Sequence, residues 1–464
     1  MLYRANILFT PTPEAFSVLE RGYIAVADNG TIEGVFDALP AQYAGAEVCD
    51  FGDALLIPAM NDLHVHAPQY RNMGIAMDME LLPWLNTYTF PEEERYADLA
   101  YADYMYRRFL HDLWLHGTMR AAVFATTHAD ATCLLADLFV EVGMGAFIGL
   151  VGMDRNCPET LANSPKTAIR DMERLVAHMA GYERVKPIVT PRFIPACTPQ
   201  MLQALGDFAT THHLPVQSHL SENRAEIQWV RELEPEASCY GDAYHRYGLF
   251  GKTVTAGKMS HIASMVRPGD RTSIGDRDTV GASPIATLMA HCCYTEGEEL
   301  RLMRENGVYA VHCPTSNCNL GSGIAPVRRF LQEGVPVALG SDIAGGHHLS
   351  LFRVMQYAVE MSKLRYAQTQ GKEPFLKLSE AFYLATKGGG SFFGNVGSFE
   401  KGYAFDALVI DDAKEPSKSP LKGDVDIPPY DLKQRLERFV YLGDDRHITH
   451  RFCQGKEIVN CNIV

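Results

Sequence analysis

Paired cysteines are missing from this chain: its 464 residues hold 11 cysteines and no C-x-x-C, the closest groupings being Cys292-Cys293 and Cys313 with Cys318. That excludes a cysteine-cage metal module and a disulfide framework, and leaves reduced, mostly buried thiols. Long apolar runs are missing too. None approaches the roughly 20 residues needed to cross a bilayer, and the N-terminus meets Pro11 and Pro13 too soon for a signal peptide. Basic charge is in deficit, with 42 Lys plus Arg against 56 Asp plus Glu and a net charge of −14. Such a balance speaks against nucleic acid or a membrane surface as partner. The expected compartment is the cytoplasm. No internal repeat or low-complexity tract stands out.

What the chain does have is histidine at informative places. Asn61-Asp62-Leu63-His64-Val65-His66 closes the apolar run Ala54-Leu55-Leu56-Ile57-Pro58-Ala59-Met60. The run reads as a buried strand, and side chains two apart on a strand point the same way, so two imidazoles at its C-terminal end could bind one ion. In a chain with 17 histidines, such a pair carries little weight alone. Three further apolar segments also end in metal-type residues: Leu214 to His219, with Glu222 just beyond; Thr287 to His291; and Val335 to Asp342. A (β/α)8 barrel gathers its functional groups at the C-terminal ends of its strands, where a plain core sequence has no reason to place His or Asp. The four strand ends therefore read as one metal site.

A barrel alone takes about 250 residues, so a chain this long, 47% of it apolar, should carry a second, smaller module. Residues 1–54 are strand-like, with Ile24–Ala27 and Ile32–Phe36 flanking the hairpin signal Asp28-Asn29-Gly30. The tail has the same character in Ala407–Ile410, Phe439–Leu442, His450–Cys453 and Gln454–Val459. One small β-sandwich built from residues 1–54 and 395–464 is expected around an α/β barrel, 55–394. Inside the barrel, strands two to four fall at Arg120–Ala125, Gly145–Val151 and Pro187–Arg192. Strands five and six end at His219 and His291, the seventh is Val308–His312, and the eighth ends at Asp342. Helical spacing fills Tyr101–His116 and Ser164–Gly181.

His-x-His on strand one, His on strands five and six and Asp on strand eight resemble the amidohydrolase superfamily. Within it, six segments resemble the guanine deaminase family: His64–Tyr70, Trp84–Pro91, Val185–Phe193, Gln217–Asn223, Gly340–Gly346 and Tyr441–Arg446. The likeness runs over nearly the whole chain, and Tyr88-Thr89-Phe90-Pro91 and Thr190-Pro191-Arg192-Phe193 are more family-specific than the metal-type residues. It implies hydrolysis of guanine to xanthine and ammonia, a homodimer, and zinc as cofactor, one ion per chain, with iron as the alternative metal.

The residues support that chemistry independently. Attack on an amidine-like ring carbon needs a nucleophile stronger than water, and zinc lowers the pKa of bound water to about 7. His64, His66 and His219 serve as nitrogen ligands, and Asp342 as the carboxylate that ligates the metal and helps take the proton of the attacking water. Glu222 is the proton shuttle, which requires a partly apolar setting. His291 stands next to the ligands and hydrogen-bonds the reacting oxygen. Arg192, a planar donor, suits a purine carbonyl, Gln69 can donate to and accept from a ring edge, and Phe193 walls the pocket with Trp84, Tyr88 and Phe90.

Binuclear relatives of the superfamily use a modified Lys at the end of strand four. Here that end carries Thr190-Pro191-Arg192-Phe193, with Lys186 at the strand's start, so one metal is expected. The other zinc-deaminase pattern, H-x-E with P-C-x-x-C, is absent. Residues 252–286 read as an insertion before the sixth strand, and His261 within it competes with His291, which is preferred because an apolar strand leads into it. Rival readings are an aminohydrolase of the same barrel acting on 8-oxoguanine, a pterin or a triazine, and a catalytically inert metal-binding scaffold. Intact Glu222 and Asp342 speak against the scaffold.

Overall fold

The computed structural model describes residues 1–251, 286–413 and 430–459. The chain opens with β1 (Leu2–Thr12), β2 (Ala15–Val26), β3 (Ile32–Phe36) and β4 (Val48–Pro58). The barrel follows as β5 (Met60–His66), β6 (Thr118–Phe124), β7 (Gly145–Gly149) continued by β8 (Val151–Gly152), and β9 (Val185–Pro187) continued by β10 (Thr190–Pro191). It is completed by β11 (Val216–Leu220), β12 (Thr287–His291), β13 (Tyr309–His312) and β14 (Val337–Leu339). The last strands are β15 (Ala407–Ile410), β16 (Ile448–Cys453) and β17 (Lys456–Glu457).

Strands from both chain ends build one unit, a single seven-stranded sheet ordered β17-β16-β15-β4-β1-β2-β3. The sheet curls back on itself. Ile32 N–H donates to the Tyr403 carbonyl and Phe405 N–H to that of Gly30, so the start of β3 meets the residues leading into β15. The enclosed face buries Tyr3, Ile7, Phe9, Leu56, Phe405 and Phe452. The hairpin residue Gly30 sits at φ +79°, and a Cβ there would lie 2.0 Å from the Gln454 carbonyl oxygen, so no larger residue fits.

The barrel strands pair in parallel as β5-β6-β7-β9 and as β11-β12-β13-β14. A bridge between Val189 and Val216 joins the two sets on one side. On the other, Asp342 N–H donates to the His64 carbonyl at 2.8 Å and His66 N–H to that of Ile343 at 3.1 Å. Asp62 strengthens this closure, its carboxylate accepting from Ser341 N at 3.0 Å, from Ser341 Oγ, and from His64 N at 3.2 Å. Leu63, Ala122, Ile188, Leu288, Ala290 and Val311 fill the space between the strands. The helices Leu99–Leu115 and Pro165–His178 occupy the two expected intervals, N-capped by Asp98 and Ser164. Every described cysteine is unpaired, and among the described residues no helix is long and apolar enough to cross a membrane.

Two expectations are corrected. The run Ala54–Met60 is not one strand: it divides at Ala59, whose N–H donates to Asp406 O while that of Met60 donates to Gly117 O. Residues up to Pro58 belong to β4, paired with β1 and β15, and the barrel strand begins at Met60. Hydropathy cannot mark such a crossing, because the run is buried on both sides of it. Phe439–Leu442 is not a strand either but the end of a helix, Leu432–Leu442. Asp431 caps it by accepting from Gln434 N at 2.9 Å, and Leu432, Leu436, Phe439 and Val440 are buried at helical spacing. Four apolar residues in a row are too short a window to separate the two periods. The expected insertion, 252–286, lies with His261 outside the described residues up to Ala286.

One buried ion pair fastens barrel to sheet. Arg120 Nε of β6 donates to Asp406 Oδ2 at 2.5 Å, with side-chain exposures of 6% and 1%. Arg120 also reaches Gln454 Oε1 at 3.2 Å. Removing one partner of such a pair leaves a buried charge uncompensated. Asp406→Ala is expected to destabilise the fold by about 3–5 kcal/mol, read as a lowered denaturant midpoint, whereas breaking a solvent-screened surface pair such as Arg301–Glu298 should leave the midpoint unchanged.

Candidate metal centre and active site

The site begins with a fault in strand pairing. Asp62 stands opposite Ala121 but Val65 opposite Val123, so β5 carries one extra residue between them. A bulge of this kind re-aims the side chains beyond it. His64 and His66 then converge, their Nε2 atoms 3.3 Å apart, and His219 at the end of β11 brings its Nε2 to 3.2 Å from that of His66. Asp342, just past β14, places Oδ1 3.2 Å from His64 Nε2 and 3.5 Å from His66 Nε2. Its φ of +50° is a left-handed conformation that Asp tolerates better than most residues. Gly340 permits the approach, since a Cβ there would meet His64 Cβ at 2.7 Å.

These atoms can hold a metal ion. Burial pushes the pKa of His64 down, and those of His66 and His219 well down, so all three are neutral ligands near pH 7. His219 Nδ1 lies 2.6 Å from the Arg192 carbonyl oxygen, which places its proton there and leaves the Nε2 lone pair facing its neighbours. Burial alone would raise the Asp342 pKa, but the adjacent His64, His291 and His66 hold it far below the ordinary carboxylate range. Ligand atoms about 2.0–2.1 Å from a tetrahedral zinc stand roughly 3.3–3.4 Å apart, and four of the six pairs here, His64–His66, His66–His219, His64–Asp342 and His66–Asp342, are spaced 3.2–3.5 Å. Phe124, at the end of β6, closes the base, its ring centroid 4.5–5.0 Å from those of His64, His66 and His219.

Glu222 stands beside this cluster and is buried. Its Oε1 accepts from Ser322 Oγ at 2.9 Å, and its Oε2 lies 3.4 Å from His291 Nε2. Burial pushes its carboxyl up to about 7, so near neutrality it can both hold and release a proton. His291 comes from the end of β12, where it and Cys292 adopt φ of +71° and +51°. Its Nδ1–H donates to Asn317 Oδ1 at 2.9 Å, and among the described residues its Nε2 has no hydrogen-bond partner. Burial works against a charge on His291, but Glu222 and Asp342 outweigh it and raise the pKa.

Beyond the cluster, Gln69, Trp84, Arg192 and Phe193 line the same pocket as His66, His219, Glu222, His291 and Asp342. Phe90 lies instead beneath Arg192, its ring centroid 5.0 Å from the guanidinium carbon, and Tyr88 packs against the barrel core. Lys186, at the opposite end of its strand, donates to the Tyr182 carbonyl.

The profile of the Amidohydrolase family matches residues 55–458. The chain belongs to the amidohydrolase family. Among characterised amidohydrolases, guanine deaminase of Dictyostelium discoideum is 34% identical, with 89% of this chain and 84% of that protein covered. Guanine deaminase of Mus musculus is 33% identical over 99% and 96%. A crystal structure of guanine deaminase from C. acetobutylicum, with bound guanine in the active site, superposes with a TM-score of 0.87 at 44% identity, over 98% of this chain and 99% of that one. These full-length matches place the chain with the guanine deaminases of the family.

For this amidohydrolase, sequence reasoning left out four residues on which the site depends. Glu93 binds both Arg192 and Gln69, Asn317 orients His291, Ser322 holds Glu222, and Phe124 backs the three imidazoles. Only Asn317 carried a usable signal: Thr315-Ser316-Asn317 is a polar run just past the seventh strand, where the barrel rule looks for function.

Proposed function

We propose that this chain hydrolyses guanine to xanthine and ammonia with one zinc ion held by His64, His66, His219 and Asp342. The observation that carries the proposal is a neutral imidazole triad beside a buried, protonatable Glu222, in a pocket that also presents Arg192 and Gln69. Likeness to the guanine deaminases supports guanine as the substrate.

Zinc in this site supplies a Lewis acid that makes water nucleophilic at neutral pH. Asp342, ionised beside the imidazoles, accepts a proton from the attacking water. As the oxygen adds to the amino-bearing ring carbon, Glu222 delivers its proton to the adjacent ring nitrogen, takes up the proton that Asp342 received and passes it to the exocyclic amine, and the remaining hydroxyl proton then returns to Glu222. The carbon–amine bond breaks as the new carbonyl forms, so in net terms one proton of water ends on the ring and the other on ammonia. His291 Nε2, within 3.4 Å of Glu222 and 3.8 Å of Asp342, steadies the oxygen while it changes charge. Arg192 and Gln69 receive the far edge of the purine. Trp84 and Phe193 offer apolar walls that exclude water and stack on the ring.

Ammonia release is measured over guanine, 8-oxoguanine, adenine, cytosine and a pterin. Guanine is expected to lead. A preference for 8-oxoguanine or a pterin would move the assignment to another aminohydrolase, and release from none would favour an inert scaffold. A homodimer in the cytoplasm belongs to the same proposal, and light scattering on the purified chain tests its oligomeric state.

Arg192→Lys keeps the charge that neutralises Glu93 but loses the planar fork. Guanine kcat/KM is expected to fall about 10- to 100-fold with little change in melting temperature. A variant that unfolds on gentle warming while its folded fraction turns over guanine normally would make Arg192 a loop anchor.

A further inference from the structure

We propose that Glu93 sets purine specificity from behind the pocket wall, by locking Arg192 and Gln69 into the arrangement that reads an oxo-purine edge. This rests on the reading of those two residues as purine contacts. Glu93 is 2% exposed and stands outside the pocket lining, whereas Arg192 and Gln69 belong to it. One carboxylate serves both. Its Oε2 accepts from Arg192 Nη1 at 2.6 Å and its Oε1 from Gln69 Nε2 at 2.9 Å.

A side-chain amide can present its oxygen and its nitrogen in either order. Gln69 cannot, because its Oε1 accepts the Ala344 N–H at 3.2 Å while its Nε2 donates to Glu93. A flip would set donor against donor at one end and acceptor against acceptor at the other. Gln69 therefore offers a ligand one remaining N–H and one remaining lone pair in fixed positions. Arg192 is fixed in the same way, with Nη1 committed to Glu93 and its plane over Phe90. Its uncommitted N–H groups can only donate. A lactam edge, a carbonyl oxygen beside a ring N–H, complements this set, and an amino edge opposes it.

The step from carboxylate to amide at position 93 is decisive, because Gln has an N–H to place where Glu has an acceptor. One of the two partners must then turn away. Glu93 thus acts through Arg192 and Gln69 as a positioning residue, with a signature that packing alone does not give. Ligands that carry the 6-oxygen should suffer and ligands that lack it should not.

The test is isothermal titration of the zinc-loaded enzyme with hypoxanthine, which has the 6-oxo edge, and with unsubstituted purine, which lacks that oxygen; neither carries an amine to lose. In Glu93→Gln the hypoxanthine Kd is expected to rise about tenfold or more, with that of purine within about twofold of wild type. Partial unfolding would lower the binding stoichiometry and leave Kd unchanged, so the two effects separate. Should Glu93→Gln not fold, Glu93→Asp keeps the charge and shortens the reach, and a selective loss of hypoxanthine affinity is expected there too. Equal weakening of both ligands, or of neither, overturns the inference while leaving the purine reading intact. Wild-type enzyme that binds neither ligand overturns the purine reading and this inference with it.

Discussion

Glu222→Gln is expected to leave a folded, metal-loaded protein whose guanine turnover falls by about 10²–10⁴-fold or more. The amide matches the carboxyl in shape, and Ser322 Oγ can still donate to its oxygen as it does to Glu222 Oε1 at 2.9 Å. Less than a full charge is lost near neutrality, because burial holds the Glu222 carboxyl up at about 7. What is lost is the proton. An amide can neither deliver one to the ring nitrogen nor pass one to the leaving amine, so transition-state stabilisation should fall while ground-state binding persists. The loss should appear in kcat with KM nearly constant. Metal content and turnover are measured on the same preparation. Near-normal ammonia release by the metal-loaded variant would remove Glu222 from the mechanism.

The parts of this site that could be read in the sequence and the parts that could not differ in how far apart their partners lie. His64, His66, His219, His291 and Asp342 each follow a short apolar strand, and the barrel's topology turns that local pattern into a statement about space. Glu93 gave no comparable signal. It sits on a short helix, Phe90–Glu94, and its partners Arg192 and Gln69 are 99 and 24 residues away, so no periodicity connects them. The β5 bulge was equally hidden, because an extra residue in a strand changes pairing without changing composition. Burial was legible where its period was long, as in Leu99–Leu115, and misleading where it was short, as at Phe439–Leu442. The crossing at Ala59 shows the same limit from another side: one apolar run can serve two sheets.

Removing the metal is expected to abolish turnover and to loosen the fold together. His64, His66 and His219 turn their lone pairs inward, with Nε2 spacings of 3.3 Å for His64–His66 and 3.2 Å for His66–His219, and an ionised Asp342 is buried against them, so taking the ion away would leave these groups opposed. These groups come from β5, β11 and the end of β14, so the ion ties together strands from both halves of the barrel. Ligand linkage gives the size of the effect. A site filled at a free zinc concentration 1,000 times its Kd stabilises the folded state by about 4 kcal/mol, which for a chain of this size is a melting shift on the order of 4 °C. Chelated protein should therefore melt lower by that amount and release no ammonia above background. Added zinc should restore both properties, and magnesium neither, because a site of three imidazole nitrogens suits zinc and not a cation that prefers oxygen ligands. His219→Ala should behave as the chelated enzyme does, even with zinc present. Two results would count against the assignment: protein shown by metal analysis to be zinc-free that still deaminates guanine, or a melting temperature indifferent to zinc.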